Sequence, residues 1–154
     1  MARLWAQTVD YLTVSVGDQL PILIRWETSE SIRRLAAQFG AASDREGNEP
    51  DVNEADVYGD ELAAEDLALP GPAVTAYVTE ALGKAFPRDR LTAEGSSVEV
   101  KFQKPILADE TISISGEVVG KREESGLRLV ECRIVIEKEE NREVAATARA
   151  VVSL

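Results

Sequence analysis

The sequence predicts an α+β domain in which a curved antiparallel sheet wraps around one central buried helix. Three observations point there. Residues 73–86 form a strongly apolar stretch at helical spacing, and such a helix belongs inside a protein. Four segments after it alternate apolar and polar residues, the signature of strands with one buried face. The last of these carries small inward residues, Ala146, Ala148 and Ala150, which let a sheet curl closely against a helix. No repeat and no low-complexity linker interrupts the chain, so residues 1–154 are expected to form a single domain.

Taken in order, Val9 to Val16 reads as an extended lead-in, Gly17-Asp18 as a turn, and Leu20 to Ile24 as a strand. Thr28 or Ser29 then caps a helix whose apolar face is Ile32, Leu35, Ala36 and Phe39, with Gly40 as its stop. Residues 41–59 form a long polar, acidic loop, a class that is often functional. Residues 60–68 read as a short helix ending at Leu69-Pro70-Gly71-Pro72. Pro72 suits the first turn of the central helix. That helix aligns Val74, Tyr77, Val78, Ala81, Leu82 and Ala85 on one stripe. Strands follow at Val98–Phe102, Thr111–Val118, Leu127–Ile136 and Ala145–Val152, with Gly126 and Asn141 marking the later turns. A change of phase near Leu129-Val130 suggests a bulge. Trp5 and Trp26 read as packing groups, and Tyr77 as core or a dimer contact. Gly116 and Gly120 read as strand bends.

Composition narrows the chemistry. The chain has no histidine, which removes Ser-His-Asp and Cys-His arrangements and histidine–cysteine zinc sites. Acid–base work would fall to carboxylates, tyrosine, lysine or water. The single cysteine, Cys132, reads as a small buried hydrophobe. The net charge is −11 and argues against nucleic-acid and membrane partners. Ten of the 28 acidic residues lie between Asp44 and Asp66, with Arg45 the one base among them. This run suits a solvated loop or a docking surface for a basic partner. No membrane-length apolar run and no signal-like N-terminus is present, so a cytoplasmic location is expected. The exposed edges of a curved open sheet are usually covered or paired, which favours a dimer.

Several motifs occur in a telling order: Val16-Gly17-Asp18, a capped helix of the Ser-Ile-Arg-Arg-Leu-Ala type, Leu69-Pro70-Gly71-Pro72, and the central helix. After them come Phe102-Gln103-Lys104-Pro105-Ile106 and Asp109-Glu110-Thr111-Ile112. This ordered set resembles the MaoC-like hydratase/dehydratase branch of the hotdog superfamily. The last two pieces resemble that family's "F-x-x-P-ϕ" and "G-D-T-ϕ". The resemblance implies a hotdog fold, hydration of a 2-enoyl thioester or its reverse, and a substrate carried on coenzyme A or acyl carrier protein. No cofactor and no metal is expected for this chain. The substrate would lie against Pro72, Ala73, Val74, Thr75 and Ala76, where unpaired helix N–H groups polarise the thioester carbonyl.

The family's reaction motif is Asp-x-Asn-x-x-His, and here this chain departs from it. Asp51-Val52-Asn53-Glu54-Ala55-Asp56 keeps the Asp and Asn spacing but has Asp56 in the histidine place. Counted back from Leu69-Pro70-Gly71-Pro72, the histidine place falls on Tyr58 and the aspartate place on Asn53. Either way the imidazole is missing. An exposed aspartate with a pKa near ~3.9 is a poor base, and a tyrosine near ~10 donates more readily than it accepts. Three readings stay open. The chain is a degenerate, non-catalytic subunit that binds an acyl thioester or supports a partner, as a homodimer or with a second hotdog subunit. Alternatively it is an active hydratase or thioesterase using Asp51 or Asp56 on acyl-CoA. Or it is a structural hotdog protein without a ligand.

Overall fold

The computed structural model describes residues 2–44 and 67–154. Strand β1 (Leu23–Arg25) leads into helix α1 (Ser29–Asp44). The central helix α2 (Gly71–Ala85) is followed by one short turn of helix, α3 (Arg88–Leu91). Strands β2 (Ser97–Phe102), β3 (Ile112–Glu124), β4 (Leu127–Lys138) and β5 (Val144–Ser153) complete the chain. All five strands form one sheet in the order β1-β3-β4-β5-β2, antiparallel throughout. Hairpins suffice for β3-β4-β5, while β2 docks on the far side of β5.

The sheet turns its apolar face to α2. Ile114 and Val118 on β3, Cys132, Ile134 and Ile136 on β4, and Ala146, Ala148 and Ala150 on β5 are all buried. Against them lie Ala73, Val74, Val78, Ala81, Leu82 and Ala85 of α2. Each large aliphatic side chain buried here contributes roughly 1.5–3 kcal/mol. The three alanines of β5 are buried in this core, while the nearest backbone approaches of α2 are to β3 and β2. Of the remaining helix residues, Pro72, Ala76 and Thr79 stay exposed, so the sheet covers one side of α2.

Local signals account for most boundaries. Thr28 caps α1, its Oγ1 accepting the Ser31 N–H at 3.1 Å. Gly40 does not stop that helix, which runs on to Asp44; Ala41 and Ala42 are strong helix formers that carry it past the glycine. Asp18 is buried in the Gly17-Asp18 turn and accepts the Ser15 N–H at 2.9 Å and the Ala2 N–H at 3.1 Å. The β3–β4 hairpin turns at Ser125-Gly126, both at positive φ, as a tight two-residue turn requires. Asp109 also has a positive φ, 63°. It occupies the glycine place of the "G-D-T-ϕ" pattern, and aspartate is among the few side chains that tolerate this conformation.

The expected bulge lies on the neighbouring strand. Pairing slips between Val118 and Gly120 of β3, whereas β4 runs regularly through Leu129-Val130. The phase change in β4 arises because Leu127 and Leu129 face away from α2 and meet Gly95. Gly116 is a point of close approach and not a bend. A methyl there would stand 3.0 Å from Ile134 and 3.1 Å from the Arg133 carbonyl, and its own carbonyl accepts the Leu20 N–H. Trp5 and Trp26 are 51% and 62% exposed, so neither is the packing group that its type suggests. Their neighbours do reach the core, since Leu4 is buried and Arg25 pairs with Glu80 of α2, but the two indole rings lie largely in solvent. Residues 60–66 of the expected short helix and most of the acidic run fall outside the described residues, while Leu67 and Ala68 are not helical and Ala68 forms a bridge with Leu107.

Candidate functional site

A cavity of about 300 Å³ opens where the first turn of α2 meets the end of β2. Its walls are Leu69, Gly71, Val74, Phe102, Ile106 and the Ala145-Ala146 start of β5; Ala68, Gln103, Lys104 and Pro105 complete the lining. Three local features build it. The Leu69 N–H donates to the Ile106 carbonyl at 2.7 Å, tying the entry to α2 against the strand that follows Phe102. Gln103 and Lys104 N–H groups both reach the Ala145 carbonyl, at 2.9 and 3.1 Å, which turns the chain out of β2. The Phe102 ring lies over Gly71, where an added methyl would sit 3.4 Å from the ring. The lining is mostly aliphatic and aromatic, and the amine of Lys104 is its one charge among the described residues. Such a surface suits an apolar chain with a polar or anionic group at the rim.

The helix N-terminus contributes less polarity than its position suggests. Pro72 has no N–H, and the Ala73 and Val74 N–H groups already share the Pro70 carbonyl at 3.0 and 3.2 Å. Thr75 turns its hydroxyl back onto the Gly71 carbonyl at 3.2 Å. Among the described residues, the Gly71 N–H is the first-turn donor left without an acceptor.

Solved structures share this architecture. The ChsH1-ChsH2 complex from Mycobacterium tuberculosis matches with a TM-score of 0.61 at 19% identity, over 92% of this chain and 99% of that one. The (R)-hydratase of A. caviae involved in PHA biosynthesis matches with 0.61 at 20% identity, over 92% and 98%. A MaoC-like dehydratase from Rhodospirillum rubrum matches with 0.61 at 15% identity, over 92% of each. This chain is a hotdog-fold protein. The resemblance drawn from its motifs is thus borne out at the level of the fold. No family model matches the sequence, and no curated protein matches it.

The site residues named from sequence separate into two groups. Asp51, Asn53, Asp56 and Tyr58 lie outside the described residues. Of the helix set, Val74 lines the cavity and Ala73 is buried behind it in the hotdog core. Pro72 and Ala76 are exposed and Thr75 is half-buried, so these three do not face the cavity. Helical geometry explains the split, because five consecutive residues point around more than a full turn. The residues missed were Phe102, Ala145 and Ala146. Their strands read as ordinary alternation, and nothing local says that β2 and β5 become neighbours.

A polar clasp holds the opposite flank of α2. Tyr77 donates its hydroxyl to Glu27, whose second oxygen accepts from Ser31 at 2.6 Å. One turn on, Glu80 pairs with Arg25. Burial, then the hydrogen bond to Glu27, raises the Tyr77 pKa well above its ordinary value, so this phenol stays protonated. Only about 10 Å³ is open beside it, too little for a substrate. Tyr77 therefore packs its ring against the core while its hydroxyl serves as a fastener, not a base. Cys132 is fully buried under α2 and its thiol pKa is pushed up to about 12, mainly by burial, so no thiolate is available.

Proposed function

We propose that this hotdog domain belongs to the MaoC-like group, is related to (R)-specific enoyl-CoA hydratases and 3-hydroxyacyl dehydratases, and binds an acyl thioester without turning it over. The observation that carries the reading is the apolar cavity at the start of α2 in a chain with no histidine. The acyl chain takes the space between Val74, Phe102 and Ile106. Coenzyme A or an acyl carrier lies toward Lys104 at the rim. Without an imidazole, no side chain titrating near neutrality is at hand to take and return the proton of water. The domain then acts as a degenerate partner subunit beside a second hotdog chain. In support, the ChsH1-ChsH2 structure is a complex of this fold. Among the described residues, no helix is long and apolar enough to cross a membrane.

Acyl-CoAs of increasing chain length should raise the melting temperature, since a ligand at 100 times its Kd adds about 2.7 kcal/mol to stability. The same preparation should leave crotonyl-CoA unhydrated. If no acyl-CoA shifts the melting temperature, ligand binding is wrong. Turnover at enzyme-like rates, abolished by Asp51→Asn or Asp56→Asn, would instead make this a carboxylate-dependent enzyme.

A further inference from the structure

We propose that the buried pair Lys138–Glu110 positions the Leu69–Ile106 wall of the cavity and thereby sets how the site grips an acyl chain. Among the described residues Lys138 is the one buried base, only 8% exposed. It ends β4 and follows Ile134 and Ile136 on the face turned to α2, where alternation calls for an apolar side chain. Its Nζ stands 3.1 Å from Oε1 of Glu110. The same oxygen accepts the Leu107 N–H at 2.7 Å.

That N–H belongs to the cavity wall. Residues 67–69 and 106–108 form a small antiparallel ladder in which Ala68 is bridged to Leu107. The Leu69 N–H donates to the Ile106 carbonyl at 2.7 Å, and the Ala108 N–H donates to the Leu67 carbonyl at 3.2 Å. Between these rungs Leu107 turns its own N–H away from the ladder, and Glu110 receives it there. Ala68, Leu69 and Ile106 all line the cavity, so the ladder is one of its walls. The Glu110 N–H in turn reaches the Leu107 carbonyl, which closes the turn that brings the carboxylate back. One oxygen thus joins the end of β4 to the wall, by a charge-assisted contact on each side.

Stability alone does not call for this arrangement. A buried ion pair gains little over two packed apolar residues, because both charges lose their water. The carboxylate does what an apolar pair does not, since it satisfies a backbone donor that faces away from the ladder. Lys138 balances the charge which that acceptor carries. For its ligand this role rests on the proposed function; for the wall it does not.

The test compares two neutral double variants. Lys138→Met with Glu110→Gln keeps an acceptor for Leu107, whereas Lys138→Met with Glu110→Leu has none. Neither leaves a buried charge unpaired, so both should fold. Amide hydrogen exchange reads the wall. In the leucine variant Leu69, Leu107 and Ala108 should exchange roughly ten times faster than in wild type, a larger change than at Val78 or Ile134. A loss of global stability alone speeds the deep core amides at least as much. Calorimetry with butanoyl-, hexanoyl- and octanoyl-CoA reads the ligand. Each added methylene should improve wild-type binding about fourfold. The gain should fall below about twofold in the leucine variant and return in the glutamine variant. Wild-type exchange at the three amides in the leucine variant overturns the role of the pair, and so does loosened exchange with an unchanged gain per methylene. If wild type binds none of the three thioesters, the proposed function falls. The exchange rates then still decide whether the pair positions the wall.

Discussion

The two margins of the sheet are built differently. At one, β1 is three residues long and firmly fastened. Leu23 is buried opposite Ile114, Arg25 pairs with Glu80 of α2, and the next turn holds Glu27 against Tyr77 and Ser31. At the other, β2 is twice as long, yet every residue of it is exposed or half-exposed, and among the described residues no side chain of it joins an ion pair. The first margin is finished within the chain by side-chain contacts to the central helix. The second has its backbone ladder to β5 and the Phe102 ring over Gly71 of α2, and it borders the cavity. On the proposed function, that bare strand beside an apolar pocket is the side where an acyl ligand would bind, while the fastened margin holds α2 in place.

Changes at the fastened margin should cost stability, and changes at the bare one should cost binding. The largest loss is expected for Leu23→Ala, which removes a buried side chain facing Ile114. About 2–4 kcal/mol should disappear from the unfolding free energy in a urea titration. Next comes Tyr77→Phe, which deletes the bond to Glu27 and should cost about 1–2 kcal/mol near neutral pH. Its pH dependence has a definite sign. The folded-state pKa of Tyr77 is raised, so its contribution is complete below the ordinary tyrosine value of 10.0. It is lost as pH rises through the raised value, and the gap between wild type and Tyr77→Phe should close only in strong alkali. The smallest effect on folding is expected for Phe102→Ala, under about 1 kcal/mol, because the ring is more than half exposed. The same substitution should largely remove the thermal shift given by acyl-CoA. A Phe102→Ala protein that unfolds as readily as Leu23→Ala would erase the distinction between the two margins.

The sequence by itself determined the elements and much of the order of the core. Periodicity marked α2 and the four later strands, Thr28 and Pro72 marked helix starts, and the alternation of β5 marked Ala146, Ala148 and Ala150 as buried. These are local properties, written within a few residues of one another. Absence of histidine also needs no structure, and it bounds the chemistry wherever the residues lie. Tertiary structure alone decided which strands became neighbours. It set β2 beside β5, put Phe102 over Gly71, and brought Glu27 to Tyr77 across 50 residues of chain. It also decided that Trp26 stays outside and that Tyr77, packed against the core, turns its hydroxyl to Glu27. Burial and pairing depend on what arrives from distant sequence, and alternation within one segment carries no record of its neighbour.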